Sequence, residues 1–186
     1  MSGKAYSYEL ILDFAIPESL SGTQRWVLSA MRRHGLGLVT MLWRILGNEQ
    51  DVCDAYQETF LKLAHYQGGQ RPEHIKAYVF RSASNVAISM LRRKIIERKN
   101  LSEISNAGNE IKSPANELDS KSLQQRLRSD ITRLPEHLRN VVILHDLGDL
   151  PYCQVGKVLG ITEATARVYR CKAIQLLSVW MSKEEQ

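Results

Sequence analysis

The chain has 186 residues, of which 44% are hydrophobic, and it carries a formal net charge of +5 with a pI of about 9.2. An apolar share of this size excludes a disordered tail, and the basic balance suits a nucleic acid better than an acidic partner. The three cysteines, at positions 53, 153 and 171, include no Cys-x-x-Cys pair, so the sequence indicates neither a disulfide framework nor a zinc site.

The N-terminal extension, residues 1–17, lacks a basic start followed by a long apolar core, because Asp13 interrupts the apolar residues around it. We therefore expect neither a signal peptide nor a transmembrane span, and we expect a cytoplasmic protein. Beyond this extension, helical periodicity is common and strand signals are sparse. The pattern predicts an all-α protein with two small helical domains, at 18–99 and 120–186, joined by a flexible linker at 100–119.

Residues 51–62 predict an amphipathic helix whose apolar stripe consists of Val52, Cys53, Tyr56, Phe60 and Leu63. Asp51, Asp54 and Glu58 fall within roughly 60° on the opposite side, with Gln57 at the edge of this acidic cluster. Because a DNA-facing surface would not concentrate carboxylates, this face predicts a docking surface for a basic protein partner. The alternative is that the acids only complement the helix dipole, which explains Asp51 better than Glu58, since Glu58 lies two turns into the helix.

Residues 65–73 form a glycine-containing segment between this helix and the next. A loop of this kind beside a DNA-binding helix can hold an unstacked base. A plain connector remains the alternative.

Residues 77–93 predict a long helix with two distinct faces, the apolar one formed by Val79, Phe80, Ala83, Val86, Ala87, Met90 and Leu91. The opposite face carries Arg81, Asn85, Ser89 and Arg92 within roughly an 80° arc, and Arg93 continues its basic character. Such a row can bond both phosphates and exposed base edges. The alternative is a polar face that only contacts water. It is the weaker interpretation, because the same chain contains a second DNA-reading element at residues 150–173.

Residues 150–173 predict a short helix, a glycine turn and a second helix. Gly160 is expected to supply the left-handed turn, and Thr162 is expected to cap the second helix. This arrangement is a helix-turn-helix, which reads the DNA major groove.

The second helix of this motif exposes one candidate base-reading arc, formed by Arg167, Val168, Cys171 and Lys172, opposite Ala166, Ala173 and Leu177. Arg167 and Lys172 can reach guanine or phosphate, and Val168 can contact a thymine methyl group. We expect Arg170 to extend along the helix end toward solvent or phosphate.

No catalytic constellation is apparent. The five histidines show no His-Glu-x-x-His spacing, and neither a P-loop nor a Gly-x-Ser-x-Gly motif occurs. We therefore expect no enzyme, no cofactor, no metal and no small-molecule substrate. Cys53 is expected in the core, and Cys153 and Cys171 are expected at the surface.

In their order and spacing, the 51–62 block, the 77–93 block, the linker, Leu134-Pro135 and the helix-turn-helix resemble a bacterial RNA polymerase sigma factor. The compact form resembles the extracytoplasmic-function group of the sigma-70 family. This resemblance implies a transcription initiation factor that binds core RNA polymerase, directs it to promoter DNA and assists promoter melting. It also implies an inhibitory, membrane-associated anti-sigma partner.

The resemblance assigns roles to individual residues. It implies that the polymerase is bound by Asp51, Asp54, Gln57 and Glu58. It implies that the minus-10 promoter element is engaged by Arg81, Asn85, Ser89, Arg92 and Arg93, while the 65–73 loop holds a flipped base. Near the minus-35 element, Arg139 would hold a phosphate. The last helix departs from the family pattern at Val168, Tyr169 and Arg170, so the preferred upstream sequence stays open.

Two other functions are consistent with parts of the sequence. A stand-alone helix-turn-helix regulator would share the C-terminal motif, but it would not need the acidic helix and would bind its operator without polymerase. An interaction protein that sequesters a regulator through its helices would support no promoter-dependent transcription.

Overall fold

The structure of the protein, a computed structural model, describes residues 22–65, 72–105 and 115–183. Every described element is helical, which confirms the predicted all-α class. In chain order the elements are α1 (Gly22–Leu46), α2 (Glu49–Ala64), α3 (Ile75–Ser105), α4 (Ala115–Arg133), α5 (Glu136–Val142), a π-helical turn (Ile143–Leu147), α6 (Tyr152–Leu159) and α7 (Glu163–Lys183). None of the described helices is long and apolar enough to cross a bilayer.

The first three helices pack against one another and form the N-terminal unit (α1–α3). Its centre is filled by side chains that exclude water almost completely, among them Leu38, Met41, Leu42, Val52, Val79 and Phe80. The sharp turn from α1 into α2 uses Gly47, whose φ of 79° lies in the left-handed region that glycine adopts without steric cost. Asn48 then caps α2, its side chain accepting a hydrogen bond from the backbone N–H of Asp51 at 2.9 Å.

The remaining helices form the C-terminal unit (α4–α7), which packs directly on the N-terminal unit. Gly148 lies at one close approach between the units: a Cβ atom at this position would lie 3.1 Å from Cδ1 of Phe80 and 3.2 Å from Sδ of Met41. The buried apolar side chains of the two units therefore form one continuous core. Nothing in the sequence pattern of either unit alone indicated this packing, because it depends on which surfaces meet across the chain.

The predicted linker is helical at both of its ends. Helix α3 continues through residues 100–105 and α4 begins at Ala115, so only residues 106–114 of the 100–119 segment lie outside the described residues. Polar composition did not prevent helix formation there, since Leu and Glu, which both ends contain, and Ala, which the second end contains, have good helix propensity. The 1–17 extension also lies outside the described residues, and the domain boundaries stay predictions.

Candidate protein and nucleic-acid interfaces

Helix α2 presents an acidic surface to solvent. Asp54, Gln57 and Glu58 are all exposed, as the helical periodicity predicts. Glu58 pairs with Lys62 one turn later at 2.7 Å, and both side chains are about half exposed to water. An exposed pair at this spacing contributes about 0.5 kcal/mol or less, so a competing cation can displace Lys62 easily. These three side chains can therefore face a protein partner.

Asp51 does not belong to this surface, and the prediction that it is exposed is wrong. Its side chain is only 8% exposed. Lys94 on α3 places its Nζ atom 2.5 Å and 2.6 Å from the two carboxylate oxygens. The Asn48 side-chain amide also donates to Asp51 Oδ2. Helical periodicity placed this residue on the outer side, but Asp51 lies in the first turn of α2, where α3 covers it.

The environment of Asp51 favours its charged form. Burial alone raises the pKa of the carboxyl, but hydrogen bonds from Lys94 and Asn48, with the charges of Lys94 and Arg98, outweigh burial and leave the pKa below its ordinary value. Asp51 therefore acts as a charged clamp between the start of α2 and the middle of α3. Its role is to hold α2 in place.

The polar face of α3 is divided into exposed and engaged residues. Asn85, Ser89 and Arg93 are exposed, and the Ser89 hydroxyl donates to the Asn85 carbonyl oxygen at 2.8 Å. Arg81 is half-buried, and its Nη1 atom donates to the Val158 carbonyl oxygen of α6 at 2.6 Å. Arg92 is exposed, and it also donates through Nη2 to the Thr132 carbonyl oxygen at 3.1 Å. Two of the five predicted DNA contacts thus bind the C-terminal unit in this structure.

Arg139 is also placed differently from the prediction. The expected phosphate contact requires an accessible guanidinium, but the residue is only 6% exposed. Its Nη1 atom donates to the carbonyl oxygens of Leu134 at 3.0 Å and Thr132 at 3.4 Å. These carbonyls lie in the last turn of α4 and just after it, where backbone carbonyls have no partner within the helix. Burial, followed by the nearby charge of Arg92, lowers the pKa of Arg139. Arg139 therefore caps a helix within the C-terminal unit.

The helix-turn-helix has the predicted geometry. Gly160 ends α6 in the left-handed region, with φ of 70° and ψ of 31°. The Thr162 hydroxyl accepts a hydrogen bond from the backbone N–H of Thr165 at 3.1 Å and so caps α7. Gly156 permits the two helices to approach closely, since a Cβ atom there would lie 2.7 Å from the Ile161 carbonyl oxygen. The sequence had not singled out Gly156, which a Gly-x-x-x-Gly spacing within the motif can signal.

The predicted base-reading arc of α7 is open to solvent, and it consists of Arg167, Val168, Cys171 and Lys172. On the opposite side, Ala166, Ala173 and Leu177 are buried as predicted. The Arg167 guanidinium carbon lies 4.8 Å from the centroid of the Tyr152 ring, and its Nη2 atom pairs with Glu163. These contacts orient Arg167 before any ligand binds, which lowers the entropy lost on binding.

Arg170 is partly exposed, at 38%, but its guanidinium is held by a carboxylate rather than left to reach phosphate. Its Nε atom donates to both oxygens of Asp146, at 2.8 Å and 3.0 Å, and Nη2 lies 2.7 Å from Oδ1. These hydrogen bonds, together with the Asp146 charge, raise the pKa of Arg170. The pair ties α7 to the π-helical turn and so fixes the angle at which the base-reading arc is presented. Sequence reasoning missed Asp146 because it lies 24 residues away.

The remaining candidate sites are the cysteines, a metal site and the 65–73 loop. Cys153 and Cys171 are exposed as predicted, whereas Cys53 is half-buried, at the edge of the core. Among the described residues, no group of three or more His, Cys, Asp or Glu side chains could hold a metal ion. The predicted base-holding loop falls largely on residues 66–71, which lie outside the described residues.

Comparison with known proteins shows which family the two helical units resemble. The family model of sigma-70 region 2 matches residues 30–95, and the model of sigma-70, region 4 matches residues 124–177. The chain is 26% identical over 155 residues to the ECF RNA polymerase sigma factor SigE of Mycolicibacterium smegmatis (strain ATCC 700084 / mc(2)155). That match covers 82% of this chain and 60% of SigE, so the chain spans less than two thirds of that relative's length.

A solved structure shares the fold. The chain is similar to CnrH, solved in complex with the cytosolic domain of CnrY, with a TM-score of 0.53 and 20% sequence identity. The match covers 87% of this chain and 91% of that one. It therefore includes both helical units.

Proposed function

The chain belongs to the extracytoplasmic-function group of the sigma-70 family, and from this premise we propose that it is a transcription initiation factor. It binds core RNA polymerase, directs the enzyme to specific promoters and assists promoter melting. The observation that carries the proposal is the separation of charge: exposed carboxylates on α2, and exposed cationic and polar side chains on α3 and α7. One surface suits a basic protein, and the other two suit nucleic acid.

Polymerase docks on Asp54, Gln57 and Glu58. All three lie on one exposed side of α2, and a basic partner gains both steering and register from such a surface. Asp51 supports this surface from beneath, because its pairing with Lys94 fixes the first turn of the same helix. Asp51 therefore contributes to docking indirectly.

The minus-10 promoter element binds along α3, where Asn85, Ser89 and Arg93 are exposed. Arg81 and Arg92 join them after they release their carbonyl partners in the C-terminal unit. The segment 65–73, most of which lies outside the described residues, holds a flipped base in this proposal. The proposal rests here on the row of Arg, Asn and Ser side chains, which can bond both phosphates and exposed base edges.

The minus-35 element binds in the major groove to the arc of Arg167, Val168, Cys171 and Lys172 on α7. Each unit alone makes few contacts, so each binds DNA weakly. Polymerase fixes the distance between the two units. Once one unit has bound its promoter element, the other unit is therefore held at a high effective concentration near its own element. Arg139 acts in this unit as a helix cap rather than as a phosphate ligand.

An inhibitory, membrane-associated partner is part of the same proposal, as is a cytoplasmic location beside the polymerase. Support for the partner comes from the similarity to CnrH, which was solved with the cytosolic domain of CnrY bound.

A transcription assay tests the proposed function. The purified chain is added to sigma-free core polymerase with genomic DNA, and the transcript starts are sequenced. We expect new starts that share upstream motifs, and we expect their loss with Asp54→Arg but not with Glu97→Arg, an exposed charge reversal on α3. A stand-alone regulator would instead bind its operator tightly without polymerase, and a sequestering protein would yield no new starts.

A further inference from the structure

The aromatic ring of Tyr152 lies where the helix-turn-helix meets the π-helical turn. Tyr152 is the first residue of α6, and its ring stacks on the imidazole of His145, with the ring centroids 3.8 Å apart and the ring planes 24° from parallel. Contacts of this kind stabilise a pair of rings beyond the area that they bury. The stack therefore fixes the orientation of the Tyr152 ring against the preceding turn.

The π-helical turn in its turn holds His145. The Nδ1 atom of His145 lies 2.8 Å from the Leu150 carbonyl oxygen, and because a carbonyl can only accept, Nδ1 donates in this contact. The next residue, Asp146, binds Arg170 of α7. Two consecutive residues of the turn thus contact the two helices of the motif. Such turns are rare in proteins and frequently occur at functional sites.

Arg167 of the base-reading arc is held on the other side of this arrangement. Its guanidinium carbon lies 4.8 Å from the centroid of the Tyr152 ring, within the range of a cation–π contact. Its pair with Glu163 involves two side chains that are about half exposed, so this pair alone restrains the guanidinium weakly. The ring of Tyr152 supplies a flat surface that limits how the guanidinium can rotate.

The orientation of a guanidinium matters more for reading a base than for binding a phosphate. Recognition of guanine uses two parallel N–H bonds to the base edge, so the plane of the guanidinium must match the plane of the base. A phosphate contact positions a protein on DNA without reading its sequence. Loss of the restraint on Arg167 should therefore reduce base discrimination more than total affinity.

From these contacts we infer that Tyr152, supported by His145, is a positioning residue that sets base discrimination at the minus-35 element by holding the guanidinium of Arg167. The inference rests on the proposed function, in which Arg167 reads bases. It adds two residues outside the base-reading arc to the determinants of promoter choice. Tyr152 acts through its ring, so phenylalanine can replace it and an aliphatic residue cannot.

The experiment compares Tyr152→Leu, which removes the ring, with Tyr152→Phe, which keeps it. The matched control is Tyr169→Leu on α7, whose ring contacts His137 instead, with the centroids 4.9 Å apart. Competition among promoters that differ at single upstream positions measures discrimination by the complex with core polymerase. We expect Tyr152→Leu to lower the preference at the positions read by Arg167 about five- to tenfold. We expect Tyr152→Phe and the control to stay within about twofold of the wild type.

Two further measurements separate positioning from a general effect on the fold. In an Arg167→Ala background, Tyr152→Leu should cause no further loss of discrimination, because the side chain that it positions is absent. In the free chain, the NMR resonance of the Arg167 Nε–H group should shift with Tyr152→Leu, since the nearby ring is lost, and stay in place with Tyr169→Leu. Thermal unfolding checks the fold, and His145→Leu provides a second variant if Tyr152→Leu is unfolded.

Three results would overturn the inference: full discrimination in folded Tyr152→Leu or His145→Leu, an equal loss in Tyr152→Phe, or an additive loss in the Arg167→Ala background. Failure of the proposed function shows separately, as the absence of promoter-dependent transcripts from the wild-type chain with core polymerase. The NMR measurement needs neither polymerase nor promoter, so it reports the contact between Tyr152 and Arg167 in either case.

Discussion

Lys94 on α3 holds the carboxylate of Asp51 on α2, with its Nζ atom 2.5 Å and 2.6 Å from the two oxygens. Because of this pair, the acidic residues of α2 have two different roles. Asp51 holds two helices together, whereas Asp54 and Glu58 remain exposed on the same helix. Substitutions of these neighbouring acids therefore have different consequences, one for stability and the other for binding.

Reversal of the exposed charge, Asp54→Arg, is expected to weaken binding to core polymerase about 10- to 100-fold, equivalent to about 1.4–2.8 kcal/mol. The physical reason is that a like charge replaces an attractive one at the docking surface. A titration of labelled core polymerase measures the effect, and thermal unfolding checks that the fold is intact. Equal affinity for the wild type and the variant would remove Asp54 from the interface.

Removal of the buried carboxylate, Asp51→Ala, is expected to destabilise the protein by about 1–3 kcal/mol, because it leaves the Lys94 ammonium and the capped start of α2 without their partner. The estimate is at the lower end for ion pairs because the Lys94 side chain is 40% exposed. Urea unfolding at pH 7 measures the loss. The exposed neighbour provides the control, and Asp54→Ala should change the free energy of unfolding by less than about 0.5 kcal/mol.

The contribution of Asp51 should also depend on pH in a defined direction. Its pKa is lower in the folded chain than the ordinary value of 3.8. Its stabilising effect is therefore complete above that value and is lost as the pH falls through the folded pKa. The gap in unfolding free energy between the wild type and Asp51→Ala should be constant from pH 7 to about 5 and shrink below about 4. A gap that widens in acid would show that the pKa is raised instead.

Substitutions of Lys172 and Arg139 should have different effects on the salt dependence of DNA binding. Lys172 is exposed on the base-reading side of α7, so Lys172→Ala should lower the log–log slope of affinity against salt by about 0.9. Arg139 is buried and bonded to backbone carbonyls, so Arg139→Ala should lower stability and leave this slope unchanged. The assay uses the polymerase complex on one promoter at several salt concentrations. A reduced slope for Arg139→Ala would instead support the phosphate contact that the family resemblance implies for Arg139.

Arg167 is expected to read bases. Its replacement by alanine should cost about 1–3 kcal/mol and relax discrimination at one or two upstream positions. Competition among promoter variants that differ at single upstream positions measures this. Uniform weakening over all variants would indicate a phosphate contact instead.

The sequence predicted features that depend on local spacing. The helical class, the left-handed Gly160, the Thr162 cap and the exposure of Asp54 and Val168 all follow from turn chemistry and the helical period. These features are set within one or two turns of the chain, where periodicity and capping rules apply.

The structure departs from the expected exposure at charged residues whose partners come from other elements. Arg81 bonds a carbonyl 77 residues away, Asp51 an ammonium 43 residues away and Arg170 a carboxylate 24 residues away. A helical wheel shows which side of a helix is polar, but not whether a neighbouring helix covers that side. Arg139 differs because its backbone carbonyl partners lie only five and seven residues before it, at the end of the preceding helix, and backbone groups carry no residue type that a sequence pattern could show.

The division of labour between α2 and α7 can be tested in one photocrosslinking measurement on the assembled complex of the chain, core polymerase and promoter. A photoreactive residue replaces either Gln57 or Val168, both of which are exposed. The account predicts that position 57 crosslinks to a polymerase subunit and position 168 to DNA upstream of the transcription start. Crosslinks from position 57 to DNA, or from position 168 to polymerase alone, would contradict it.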